Sequence, residues 1–138
     1  MCSSDLSFYS YAATVVEVDY DGTHPPRVVR IDTAIDCGRV VNPDGVRKQV
    51  EGAAIYALGA ALFGEITARD GRAEQSNFGE YRVPRLVECP PVIEAHIVPS
   101  DADPGGAGEP PTPTVAPALA AALFAATGTR HRSMPFRV

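Results

Sequence analysis

Apolar and polar residues alternate along the first third of the chain. In Tyr9–Tyr20, Val16, Val18 and Tyr20 alternate with Val15, Glu17 and Asp19, the period of a half-buried strand. Asp21–Pro26 is a turn by composition, and Arg27–Cys37 resumes the alternation. There Val29, Ile31, Thr33 and Ile35 are expected on one face, with Arg30, Asp32 and Asp36 on the other. The two runs read as an antiparallel hairpin with a loop longer than two residues. The period then changes. Val46, Val50, Ala53, Ala54, Ala57, Leu58, Ala61 and Leu62 form a stripe at helical spacing over Val46–Phe63. Asn42 is the expected cap, with Pro43 in the first turn. Gly52 and Gly59 each cost about 1 kcal/mol against alanine inside a helix, so close packing or a ligand is expected beside them.

Gly64–Gln75 reads as a second hairpin turning at Asp70-Gly71, and Ser76–Arg85 as irregular. Val92–Val98 is a short strand with Ile93, Ala95 and Ile97 on one side, and Val92, Glu94, His96 and Val98 on the other. Thr114–Thr127 reads as a second helix, with Pro117 acceptable only in its first turn and Gly128 as its stop. The fold class is α+β: antiparallel hairpins packed with a small-residue helix and a C-terminal helix. Residues 7–138 are read as one structural unit. Residues 1–6 are expected to be non-native, because the string CSSDL matches a translated sequencing-adapter end.

Composition narrows the possible functions. A net charge of −5 argues against a broad grip on nucleic acid. No apolar run reaches the roughly 18 residues that would span a bilayer. Cys2, Cys37 and Cys89 are odd in number and unpaired in spacing, so neither a disulfide framework nor a zinc or iron–sulfur site is expected. His24, His96 and His131 are equally scattered.

The most informative stretch is Gly105-Gly106-Ala107-Gly108-Glu109-Pro110-Pro111. Glycines let backbone approach a ligand, and prolines fix the exit path. Taken alone, a surface turn is the commoner reading of such a loop. Its neighbours change that. Asp36-Cys37-Gly38-Arg39-Val40-Val41-Asn42-Pro43 is followed by Gln49-Val50-Glu51-Gly52, then by Gln75-Ser76-Asn77-Phe78 with Tyr81-Arg82. Ala107-Gly108-Glu109-Pro110, Pro117-Ala118-Leu119 and Ala125-Ala126-Thr127-Gly128 complete the series. In that order and spacing they resemble the C-terminal part of the molybdopterin-binding large subunit of the xanthine dehydrogenase and aldehyde oxidase family. The likeness is nearest to the isoquinoline 1-oxidoreductase type.

The resemblance implies a molybdenum hydroxylase that places water-derived oxygen on aldehydes or N-heterocycles. It implies Glu109 as the catalytic base, and Gln49 in the cofactor pocket with backbone from Gly105, Gly106 and Gly108. The implied cofactor is a molybdenum pyranopterin in its cytosine dinucleotide form, held mainly by segments outside this chain. Its metal takes thiolates from the pterin, so Cys37 is expected to be a packing residue. Implied partners are the upstream part of the same subunit and a small subunit carrying iron–sulfur clusters. The compartment, periplasm or cytoplasm, stays open. The motifs depart from the family at Pro111 and Ala121, where relatives often carry glycine and asparagine, and at Gly79-Glu80, where His-Asp is frequent. Two readings of function remain: an oxidoreductase segment inactive by itself, and a non-catalytic assembly module of such a complex.

Overall fold

A computed structural model describes residues 2–138. Six strands, one short 3-10 helix and two α-helices follow in the order β1 (Cys2–Ser7), β2 (Ser10–Asp19), β3 (Arg27–Asp36), α1 (Pro43–Leu62), β4 (Ala68–Arg69), β5 (Arg72–Ala73), the 3-10 turn Leu86–Glu88, β6 (Val92–Ile97) and α2 (Thr112–Thr127). The main sheet has the order β1-β2-β3-β6, antiparallel except for the parallel pair β3 and β6. That parallel edge was not evident from the pattern. It arises because the crossover through α1 returns the chain in its original direction. The fold class is the expected α+β.

Both helices cover one face of the sheet, α2 over β1 and β2, and α1 beside α2 and β6. Val16, Ile31, Ala57, Leu58, Leu119 and Leu123 form the centre of the main core. Ile35, Cys37 and Val50 form a second cluster beneath the Asp36–Asn42 corner. The helical stripe of α1 is buried as its spacing requires, and the Asn42 side chain accepts from the Gly45 amide at 3.1 Å, capping the helix. Gly128 ends α2 in the left-handed conformation.

Three details differ from the sequence reading. Val28 rather than Val29 is buried, because β3 carries one extra residue opposite Glu17 and Val18. This bulge moves the side chains on its far side to the other face. The helix α2 starts at Thr112, which places Pro117 beyond the first turn. Pro113 and Pro117 both lie away from the buried face, where water can reach the main chain that lacks a donor. The first hairpin strand begins at Ser10, because Phe8 and Tyr9 form a two-residue turn back from β1. Residues 2–7 pair in full with β2, and this strand includes residues 2–6 of the 1–6 segment expected to be foreign to the chain.

Candidate functional site

Gln49 and Glu109 meet at one cleft. Asn42 and Pro43 start α1, and its helical period then presents Gln49, Gly52, Ala53 and Tyr56 along one wall. Gly108, Glu109, Thr112 and Pro113 supply the facing wall, and Ser7 and Phe8 close the end. The open cleft measures about 530 Å³. A Cβ at Gly108 would come within 3.4 Å of the Gln49 Oε1 atom, so the glycine brings the loop against the amide. A second cleft of about 450 Å³ lies on the other side of the loop, lined by Tyr9, Pro104, Gly105 and Gly106. Phe8, Gly108 and Glu109 border both clefts. Glu109 stands between them.

The loop holding Glu109 is tied down by its main chain. Gly105 donates to the Cys37 carbonyl at 2.9 Å and Gly106 to the Phe8 carbonyl at 3.0 Å. A Cβ at Gly105 would sit 2.5 Å from the Ser10 hydroxyl and 2.8 Å from the Tyr9 carbonyl. These two glycines are therefore needed for packing against the β1–β2 turn, in addition to bordering the second cleft. Pro110 and Pro111 are fully buried, whereas Glu109 just before them is exposed. The Thr112 amide donates to the Glu109 carbonyl at 2.9 Å and closes the turn. Buried prolines thus hold an exposed carboxylate at the rim. Among the described residues that carboxylate makes no hydrogen bond or ion pair.

The two glycines of α1 have different surroundings. Gly59 is pressed by Pro84, 3.0 Å from where its Cβ would lie. Gly52 has nothing within 4 Å of that position and opens into the cleft beside Gln49. A helix glycine that nothing packs against leaves room for a bulky group, with an amide and a carboxylate at its edge.

Cys37 is 4% exposed and packs in the second cluster; burial raises its thiol pKa, consistent with a packing role. Gly38 is left-handed at φ 70°, and a side chain there would strike the Asp103 carbonyl. This contact anchors the segment feeding the Glu109 loop. On the opposite face of the sheet Arg30 grips Asp32 at 2.5 and 2.8 Å, and His96 Nε2 lies 2.9 Å from the same carboxyl. These bonds, Arg30 foremost, hold the Asp32 pKa down at about 2. His96 is thus a hydrogen-bond partner on the outer face and lines neither cleft.

Sequence reasoning passed over Tyr56 and Phe8. Tyr56 lies seven residues after Gln49 and four after Gly52, so the helical period could have found it. Phe8 had no such signal. It sits at φ 51° and Tyr9 at φ 60°, in a turn type that ordinarily favours asparagine and glycine.

Residues 3–90 match the molybdopterin cofactor-binding domain family. The chain is 37% identical over 108 residues to a membrane-bound aldehyde dehydrogenase (pyrroloquinoline-quinone) of Gluconacetobacter polyoxogenes, covering 78% of this chain and 14% of that protein. It is 34% identical to a probable xanthine dehydrogenase component of Bacillus subtilis, covering 92% and 18%. Identity to the beta subunit of isoquinoline 1-oxidoreductase of Brevundimonas diminuta is 32%, covering 93% and 16%. Among solved structures, quinoline 2-oxidoreductase from Pseudomonas putida 86 superposes with a TM-score of 0.75 at 24% identity, covering 91% of this chain and 17% of that one. The chain spans less than a fifth of the length of each of these relatives. It belongs to the molybdopterin cofactor-binding domain family, and corresponds to a small part of the large subunits of the xanthine dehydrogenase and aldehyde oxidoreductase type.

Proposed function

We propose that this chain supplies the catalytic base, Glu109, and one wall of the cofactor pocket to a molybdenum hydroxylase. The observation that carries the reading is the meeting of Gln49 and Glu109, from separate elements, across a cleft whose α1 wall is left clear at Gly52. The residues present fit a pyranopterin cofactor. Gln49 offers an amide with donors and an acceptor for a polar ring edge or an oxygen ligand. Gly52 and Gly108 allow close approach, and Ala53 adds little bulk. When bound, the molybdenum cofactor accepts two electrons from substrate and makes water-derived oxygen available for transfer to carbon. We take its cytosine dinucleotide form as the working assignment, with further contacts from segments outside this chain and iron–sulfur clusters in a partner.

Within that scheme the chain's own contribution is proton transfer and positioning. The Glu109 carboxylate takes a proton during attack on an electrophilic carbon of an aldehyde or N-heterocycle. Pro110 and Pro111, anchored in the core, restrict the movement of the carboxylate. Gln49 orients the cofactor and remains uncharged throughout.

The test uses the complete holoenzyme that contains this chain. Glu109→Gln is expected to keep bound molybdenum and lose turnover by orders of magnitude. Near-normal turnover would refute the assignment of the base. One observation favours the alternative assembly-module reading: Phe78, Leu86 and Val87 are 95%, 90% and 79% exposed on one irregular stretch. Such a surface fits another protein segment. If residues 1–138 alone unfold sharply as a stable monomer, the assembly module gains; aggregation favours a segment of a longer subunit.

A further inference from the structure

Three buried threonines connect the middle of the sheet to the loop that carries Glu109. Thr14 of β2 and Thr33 of β3 are direct cross-strand partners, and their hydroxyls lie 2.9 Å apart. The Thr14 hydroxyl is also 2.6 Å from that of Thr114, in the first turn of α2. Thr114 in turn donates to the Pro111 carbonyl at 2.7 Å. Thr14 and Thr33 are fully buried and Thr114 is 1% exposed.

A hydroxyl has one proton to give, so the direction of this chain follows from its last link. Thr114 spends its proton on the Pro111 carbonyl and must accept from Thr14. Thr14, having donated, must accept from Thr33. The polarity therefore runs from β3 through β2 to the carbonyl two residues after Glu109. An aliphatic trio of similar shape would fill this layer at little or no loss of stability, whereas buried hydroxyls are tolerated only when bonded. What they add is a fixed direction and a fixed end point.

We propose that the Thr33–Thr14–Thr114 chain is a positioning device for the Glu109 carboxylate. The chain holds the Pro111 carbonyl against the sheet. The Thr112 amide is bound to the Glu109 carbonyl, so the turn from Glu109 to Thr112 is held at both ends. Thr14 and Thr114 are positioning residues, acting through the backbone that follows the base. The inference rests on Glu109 being that base.

The test compares Thr114→Val with Thr114→Ser in the complete cofactor-loaded enzyme. It reads kcat and KM together with amide hydrogen exchange at Gly108, Glu109 and Thr112. Valine is expected to lower kcat at least tenfold with KM within twofold and molybdenum content unchanged, and to speed amide exchange in the turn at least tenfold. Serine, which keeps the hydroxyl, is expected to restore both. Where Thr114→Val does not fold, Thr14→Val against Thr14→Ser carries the same readouts one bond further back. Unchanged exchange in a folded valine variant, or serine failing to rescue, overturns the proposal. So does an unchanged kcat when Glu109→Gln abolishes turnover. If Glu109→Gln leaves turnover intact, the assignment of the base has failed, and the exchange readout alone decides whether the threonines hold the turn.

Discussion

Two loop-rich stretches of this chain share glycines and prolines but differ in anchorage. Residues 104–111 and residues 64–91 both carry several glycines and prolines. In the first, the Gly105 and Gly106 amides bond to residues of the sheet corner and the β1–β2 turn, and two prolines are buried. In the second, most bonds are local. Thr67 pairs with Glu74 and Gln75, Ser76 with Glu80, and Arg82 and Arg85 with Glu88. Its ties to the rest are Pro84 against Gly59, the Gly64 amide on the Gly59 carbonyl at 2.7 Å, Glu65 paired with Arg137 at 2.9 Å, and Arg82 stacked 4.1 Å from the Phe63 ring centre. Phe78, Leu86 and Val87 stay in solvent. Order in a loop depends on where its main-chain groups are bonded. The anchored loop presents a carboxylate; the other presents apolar surface.

The comparison predicts unequal responses to substitution. The largest concerns function. In the complete enzyme Glu109→Gln is expected to lower turnover by about 10²–10⁴-fold, the usual contribution of a positioned general base, while Glu80→Gln on the locally bonded stretch leaves it within about twofold. Steady-state kinetics with metal analysis checks this.

Next comes stability. Gly105→Ala drives a methyl into the Ser10 hydroxyl and the Tyr9 carbonyl, and is expected to cost about 3 kcal/mol in denaturant unfolding. Gly79→Ala, with nothing within 4 Å, is expected to stay within about 0.5 kcal/mol. Equal losses at the two positions would remove the distinction between the stretches.

A smaller effect separates the helix glycines. Gly52→Ala is expected to stabilise the fold by up to about 1 kcal/mol yet reduce bound molybdenum, because it fills the clear part of the α1 wall of the cleft. Gly59→Ala meets Pro84 and is expected to show no such gain. A Gly52→Ala enzyme with full metal content would separate the cleft from the cofactor.

The smallest effect lies on the outer face of the sheet. The Asp32 pKa is depressed in the folded state, so its bond to Arg30 contributes stability above the unfolded pKa, near about 4. That contribution is lost as pH falls through the folded value of about 2. Asp32→Asn is expected to lower Tm modestly at pH 7, with the difference from the native chain narrowing as pH falls from about 4 towards 2. A difference that grows on acidification would contradict it.

Local rules made much of the chain legible. Alternation gave the β2–β3 hairpin, Asn42 and Pro43 gave the start of α1, and Gly128 gave the end of α2. Asp70-Gly71 gave the small hairpin turn, where both residues adopt positive φ. The candidate site was legible through its motif residues Gln49 and Glu109. Other features were silent because the forces behind them are not local. The Phe8–Tyr9 turn has the wrong residues for its geometry and is held by backbone contacts with Gly105 and Gly106. The extra residue at Val29 resembles any other strand valine until Glu17 and Val18 set the register opposite it. The three threonines read as ordinary strand and helix-start residues.

Sequence by itself determined most of the elements from β2 to α2 and the family likeness, though not β1 or the 3-10 turn, because periodicity, caps and turn chemistry act over a few residues. Tertiary structure alone decided that α1 and the Gly-Glu-Pro loop face one another. It also decided that Gly52 opens into a cleft while Gly59 is packed, and that hydroxyls on three separate elements converge behind the Glu109 loop. Those outcomes depend on the helix layer closing over the sheet, which brings together residues that no local spacing relates.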